Sequence, residues 1–283
     1  MKRPYIKTAR GVSSRTARAI SAKCSTATGS PSCGRFPVNN FYLGIKFALS
    51  YFTLLPVRFR ESDDLSSPAV LRTMLFALPA IGLLLAGMSI ALFLALEPLG
   101  WVGALIAAGA YMILYGFLHT EAVIDVADAI HAAHGGKDPY EVIKEPTVGA
   151  MGVLYGTMSV LIKTALLASL LMHQHFAAFA AVAMIGRLGL LAVLSFFAFR
   201  STFVSQLRAS FGKTALLGAG AVYSLIGFWL LSWPFAVALG SGVALALLIA
   251  LLLRRALGFL NGDALGASLE GVEILLILGF LWP

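Results

Sequence analysis

The chain has 283 residues, 59% of them hydrophobic and only 12% charged, with a mean hydropathy of +0.88. Soluble domains carry roughly 25% charged residues, so the composition excludes an ordinary soluble protein and predicts an all-α, polytopic helical bundle embedded in a lipid bilayer. The net charge of +8 does not indicate a nucleic-acid partner, because the excess lies in a basic, acid-free stretch at residues 1–38 and the remainder is balanced.

That stretch is Ser/Thr-rich and superficially resembles a transit peptide. It lacks the apolar core of a secretory signal, and we read it as a disordered basic extension preceding a membrane domain at 39–283. Its two cysteines, Cys24 and Cys33, form neither a disulfide framework nor a metal motif. The next segment, 41–57, "FYLGIKFALSYFTLLPV", is short and contains Lys46. It reads as an interfacial or re-entrant piece rather than a span, because crossing would put the basic extension outside.

A spanning helix needs about 20 apolar residues. Six full spans follow at 73–96, 99–118, 148–172, 176–198, 214–232 and 235–253, then a C-terminal helix at 264–282 that is apolar apart from Glu270 and Glu273. Arg58, Arg60 and Arg72, then Lys137 and Lys144, then Arg200, Arg208 and Lys213, then Arg254 and Arg255 fall in alternate connections. The intervening loops at 97–100, 172–175 and 232–234 contain no Lys or Arg. Basic loops face the cytoplasm, which orients the chain in a cell inner membrane. There is no convincing internal repeat of the kind many transporters carry.

Six of the 13 acidic residues, Glu121, Asp125, Asp128, Asp138, Glu141 and Glu145, crowd between the second and third spans. On a helix over 120–133, Asp125 stands about 40° to one side of Glu121 and Asp128 about 20° to the other, so three carboxylates share one face. Anions this close repel unless a cation sits among them. Hard cations such as Mg²⁺ take oxygen ligands and bridge to substrate phosphates. A solvated acidic face is the plainer reading; the absence of Lys and Arg from 73 to 136 favours the cation. Asp263, Glu270 and Glu273 again share a face where the last helix enters the apolar region. Arg187 lies inside the fourth span, and intramembrane charges are either paired or functional. It is a structural ion pair with one of these acids or a guanidinium that holds a phosphate. Lys144 and Glu145 precede the third span, where Pro146 suits a first helical turn; a phosphate site at that helix start and a snorkelling lysine are both open. His119 points away from the carboxylate face and is either a packing residue or a catalyst. His131 and His134 read as loop residues without zinc spacing, and "GKDPYE" (136–141) as a turn.

Three motifs in order resemble the cobalamin synthase (adenosylcobinamide-GDP ribazoletransferase) family over about 41–283. They are "FTLLPV" (52–57) with "ALPAIGLLLAG" (77–87), "GFLHTEAVIDVADA" (116–129), and "GDALGASLEGVE" (262–273). The second corresponds to a family pattern His-x-Asp-Gly-x-x-Asp-x-x-Asp-Gly, with Glu121 at an Asp position and Ala122 and Ala129 at glycines. "KEPTVGAMG" (144–152) stands where the family has Arg-Asp-Ser-x-x-Gly-x-x-Gly. The resemblance implies Mg²⁺-dependent joining of adenosylcobinamide-GDP to α-ribazole or α-ribazole 5′-phosphate with release of GMP. It implies metal ligands at Glu121, Asp125, Asp128 and Asp263, catalytic roles for Lys144, Glu145, Arg187 and His119, and substrate contacts from Glu270 and Glu273. A CDP-alcohol phosphotransferase uses similar carboxylate chemistry and is the alternative enzyme. A cation-coupled transporter is the alternative outside enzymes, although its acids would be spread through the spans.

The loop charges make a topological prediction. Reporter fusions after Leu99 and His173 are expected to read as outside, and those after Lys137 and Ser205 as inside; reversal at any two sites would refute the orientation.

Overall fold

A computed structural model describes residues 37–282, all of whose regular elements are helical. Helix α1 (Pro37–Phe52) is 16 residues long, short of the about 20 a span needs, and an irregular stretch separates it from the bundle's first long helix. Apart from its last two residues, the expected extension 1–38, with Cys24 and Cys33, lies outside the described residues.

Among the described residues, six helices are long and apolar enough to cross a bilayer: α2 (Pro68–Ala95), α6 (Ala150–Met172), α7 (Phe176–Phe196), α9 (Lys213–Leu231), α10 (Pro234–Leu257) and α11 (Gly262–Leu281). The C-terminal helix is therefore span-like despite its two glutamates. The expected span at 99–118 is instead broken. Helix α3 (Trp101–Leu114) ends after 14 residues, and α4 (Leu118–His134) departs from it at 77°. The break has a local cause. Gly116 adopts φ +65° and Phe117 φ +53°. The Phe117 N–H bonds to the Met112 carbonyl at 3.1 Å and the Gly116 N–H to that of Ile113 at 2.8 Å. This is a glycine-terminated helix end of the Schellman type, set inside an apolar run where composition alone reads as continuous.

Three further features differ from expectation. The "GKDPYE" segment starts a short helix, α5 (Pro139–Lys144), because the Asp138 side chain accepts the Tyr140 N–H at 2.9 Å and Pro139 occupies the first turn. Pro146 is not in a first helical turn: α6 begins at Ala150, after Gly149. His131 and His134 belong to the last turn of α4 rather than to a loop. A short α8 (Thr202–Ser210) connects α7 to α9.

Helix α7 is the central post. Every side chain from Ala181 to Leu194 is buried, and α2, α6, α9, α10 and α11 all pack on it. Helix α4 lies against α6 and α11. All four tryptophans of the chain, Trp101, Trp229, Trp233 and Trp282, are exposed. The connectivity puts them at the end of the bundle whose loops lack Lys and Arg, where tryptophans anchor a membrane interface.

Close backbone approach at the post gives a stability prediction. A Cβ on Gly242 of α10 would overlap the Ile185 side chain and lie 3.1 Å from Leu276 Cδ1, whereas one on Gly87 of α2 would meet nothing within 4 Å. Gly242→Leu is expected to destabilise the bundle by about 1–3 kcal/mol through overpacking. Gly87→Ala should leave thermal unfolding in detergent unchanged or slightly raised.

Candidate functional site

The site is assembled where α4 meets the starts of α6 and α11. Glu121 is exposed on α4, and Asp125 and Asp128 are half-buried on the same helix. Asp128 spans the gap to α6. Its Oδ2 accepts the Gly149 N–H and its Oδ1 the Gly152 N–H, both at 2.6 Å. The carboxylate thus caps a helix 21 residues further along the chain, where the helix dipole and unpaired amides favour an anion. The two glycines make this possible. A Cβ on Gly149 would lie 2.5 Å from Asp128 Oδ1, and one on Gly152 would collide with the same carboxylate.

Asp263 enters from the first turn of α11. Asn261 caps that helix by accepting the Ala264 N–H at 3.0 Å and donates its side-chain amide to Asp263 Oδ2 at 2.7 Å. Asp263 lies within electrostatic reach of Glu121. Close packing brings the two helices together, since a Cβ on Gly266 would sit only 2.7 Å from Ala122 Cβ. The four residues expected as metal ligands therefore come from the two helices that meet here. Among the described residues, no three His, Cys, Asp or Glu side chains converge tightly enough to hold a metal ion by themselves. Between α4 and α6 a groove of about 360 Å³, lined by Phe117, Thr120, Glu121, Ile124, Gly156 and Thr157 among others, opens beside Glu121.

Further along α11 the environment changes. Glu270 and Glu273 are 1% exposed and belong to a buried charge network. Lys163 of α6 pairs with Glu270 Oε2, and with Glu273 Oε2 at 2.7 Å. Arg187 of α7 pairs with Glu273 Oε1 at 2.8 Å and donates to the Ala183 carbonyl at 2.7 Å. The Tyr111 hydroxyl donates to Glu273 Oε1 at 3.0 Å. Glu270 Oε1 accepts from the Tyr115 hydroxyl at 2.5 Å and the Thr120 hydroxyl at 3.0 Å. Arg187 thus forms an ion pair with one of the acids of α11. The glutamates expected to touch substrate are enclosed by cations and hydroxyls of the protein itself.

The other expected residues are spread around this core. His119 is buried, with its ring 5.3 Å from that of Tyr115. Lys144 ends α5, pairs with Glu141 at 2.9 Å and lies 3.8 Å from the Tyr140 ring centroid. Glu145 is exposed just after it. Sequence reasoning gave no site role to Lys163, Tyr111, Tyr115, Thr120 or Arg200, whose guanidinium lies 3.7 Å from the centroid of the same Tyr140 ring. Lys163 had a legible signal, since a lone cation in an apolar span is rarely idle. The hydroxyls had none.

A family model described as cobalamin-5-phosphate synthase matches residues 44–281. A protein of Clostridium perfringens (strain ATCC 13124) named adenosylcobinamide-GDP ribazoletransferase is 27% identical over 253 residues, covering 85% of this chain and 99% of that one. Proteins of the same name from Desulfitobacterium hafniense (strain Y51) and Brevibacillus brevis are 28% and 30% identical, over 82% and 83% of this chain and 94% and 97% of their own. No solved structure matches the chain.

The Asp128 cap is testable without substrate. Asp128→Asn turns an amide N–H₂ towards one of two backbone donors, and one lost charge-assisted bond costs about 1–3 kcal/mol. Hydrogen exchange over 145–155 in detergent is expected to accelerate at Gly149 and Gly152. Unchanged exchange would mean that the carboxylate does not cap α6.

Proposed function

The chain belongs to the cobalamin-5-phosphate synthase family, and from that premise we propose that it joins adenosylcobinamide-GDP to α-ribazole or its 5′-phosphate, releasing GMP. A ribazole hydroxyl attacks the phosphorus that carries cobinamide. A new P–O bond forms, the bond to the GMP oxygen breaks, and the hydroxyl proton is lost. The reaction occurs on the cytoplasmic side of a cell inner membrane, the side of the basic loops.

One observation carries this reading: the helix that bears the three carboxylates packs on α11 with Glu121 within electrostatic reach of Asp263, at the bundle end opposite the four tryptophans, and its Asp128 holds the amides at the start of α6. The donor set suits Mg²⁺. A cation that keeps several waters and takes its remaining ligands from substrate phosphates needs only one or two protein carboxylates, so a closed protein cage is not required. Its one or two protein ligands would come from among Glu121, Asp125, Asp128 and Asp263. When bound, Mg²⁺ neutralises charge on the diphosphate of the nucleotide substrate. Lys144 and Glu145, exposed near the start of α6, would meet the phosphates and the incoming nucleoside. His119 backs the acidic face from the interior, and Arg187 acts through Glu273.

The deciding assay is release of GMP by purified protein given both substrates, with and without Mg²⁺. CMP release from a CDP-alcohol would replace this reading with the alternative enzyme, and release of neither would refute both. Asp125→Asn is expected to lower turnover at least about 100-fold, or about 2.7 kcal/mol of transition-state stabilisation. His134→Ala, an exposed change at the end of α4, should turn over like the parent.

A further inference from the structure

The break between α3 and α4 is spanned by a single carboxylate oxygen. Glu270 Oε1 accepts a hydrogen bond from Tyr115, the last residue before the left-handed pair Gly116–Phe117, at 2.5 Å. It accepts another from Thr120, in the first turn after that pair, at 3.0 Å. Its other oxygen is held by Lys163. Tyr115 and Thr120 also lie within 3.3 Å of each other through their hydroxyls. Thr120 immediately precedes Glu121, the first carboxylate of the acidic face.

We propose that Glu270, kept in the interior by Lys163, braces the α3–α4 bend and so aims the carboxylates of α4, which makes Lys163 and Glu270 positioning residues of the transferase site.

Three observations support a positioning role over mere filling of the interior. The bonds fall on both sides of the break, so they constrain its angle, whereas packing on either side alone would not. The two left-handed residues interrupt the regular helical bonding that would otherwise fix the direction of α4. The lysine neutralises the acceptor, since an unpaired carboxylate at 1% exposure would either protonate or move toward water. Glu273 is secured separately by Arg187 and Tyr111, so loss of the Lys163 charge falls mainly on Glu270.

The inference rests on the transferase reading only for its activity arm; the bend itself is measured without substrate. Spin labels are placed at Ile106→Cys on α3 and His134→Cys on α4, both exposed sites, in a chain carrying Cys24→Ser and Cys33→Ser. The parent is expected to give one narrow interlabel distance. Lys163→Met should broaden and displace it. Lys163→Met combined with Glu270→Gln should restore it, because the glutamine oxygen still accepts from Tyr115 and Thr120 and no charge is left unpaired. Thr120→Val, a mild change that preserves shape, should broaden the distance. It should also raise the Mg²⁺ concentration for half-maximal turnover by about tenfold, the effect of one hydrogen bond to a charged group, with KM for both organic substrates little changed. A purely structural network would lower thermal stability while leaving the distance and the Mg²⁺ requirement in place. That result in Thr120→Val, or a double variant no closer to the parent than Lys163→Met, would overturn the brace. A parent chain that bends as described but releases no GMP would remove the transferase reading and leave the brace standing.

Discussion

The packing of this bundle depends on four charges in its interior: Lys163, Arg187, Glu270 and Glu273. None is tolerable alone among apolar helices, and breaking one partner of a buried pair typically costs about 3–5 kcal/mol. Replacing such a network with apolar side chains is often neutral, so its value lies less in stability than in register. The glutamates sit one turn apart on α11, while the cations come from α6 and α7. Sliding α11 by one turn, about 5.4 Å, would bring one glutamate to the other's place and carry the second out of reach, leaving one acid for two cations. The register fixed in this way also sets where Asp263 emerges, about two turns before Glu270 at the start of the helix. Function at the rim and charge in the interior are therefore parts of one constraint.

Helix α6 shows how the constraint works where apolar burial is weak. Leu154, Met158 and Leu161 face outward, and in lipid such side chains gain nothing by packing on a neighbouring helix. Polar ties secure the helix instead. At its start, the Gly149 and Gly152 amides hold the Asp128 carboxylate; further in, Lys163 reaches Glu270 and Glu273. Both ties lead to the carboxylate-bearing helices, so α6 serves as a strut between the acidic face of α4 and the glutamates of α11. The small residues in "VGAMG" are explained by the same contact, since any side chain at either glycine would push Asp128 away.

What the sequence revealed, and what it hid, follows from the range of the signals. Long apolar runs and loop charges report burial in lipid directly, and five of the six full spans expected from them are single helices, with the C-terminal helix passing the same test. The three-carboxylate face on α4 was legible because helical periodicity is local. The break at Gly116 was not, since hydropathy averages over about 20 residues and a two-residue change in φ leaves it untouched. The helix at Asp138–Pro139 carried a readable cap and first-turn proline that a loop reading of "GKDPYE" passed over. Arg187 was seen as a buried charge, but its partner was a long-range fact: Glu273 lies 86 residues away. Lys163 stood equally visible in its span, and only the fold shows that it balances the second glutamate.

The antiparallel contact of α4 with α6 gives the acidic face depth as well as direction. Asp128 lies at the Gly149–Gly152 start of α6, Ile124 against Gly156, and Phe117, Thr120 and Glu121 share a groove with Val160 and Leu161. Each step toward the beginning of α4 is thus a step deeper along a membrane-spanning helix, and seven residues of helix cover about 10 Å. Of the three carboxylates, Glu121 is the deepest and lines that groove, while Asp128 sits at the start of α6. A straight α3–α4 span would have carried these acids through the bilayer like any other helix. The bend instead lets α3 stop after 14 residues and hands the chain to a helix that bears acids at a depth where charges interact more strongly than in water. Asp128, at the other end of the row, lies near the connection that carries Lys137 and Lys144. A membrane enzyme that handles charged substrates needs both conditions, and here one kink, braced from the interior, supplies them.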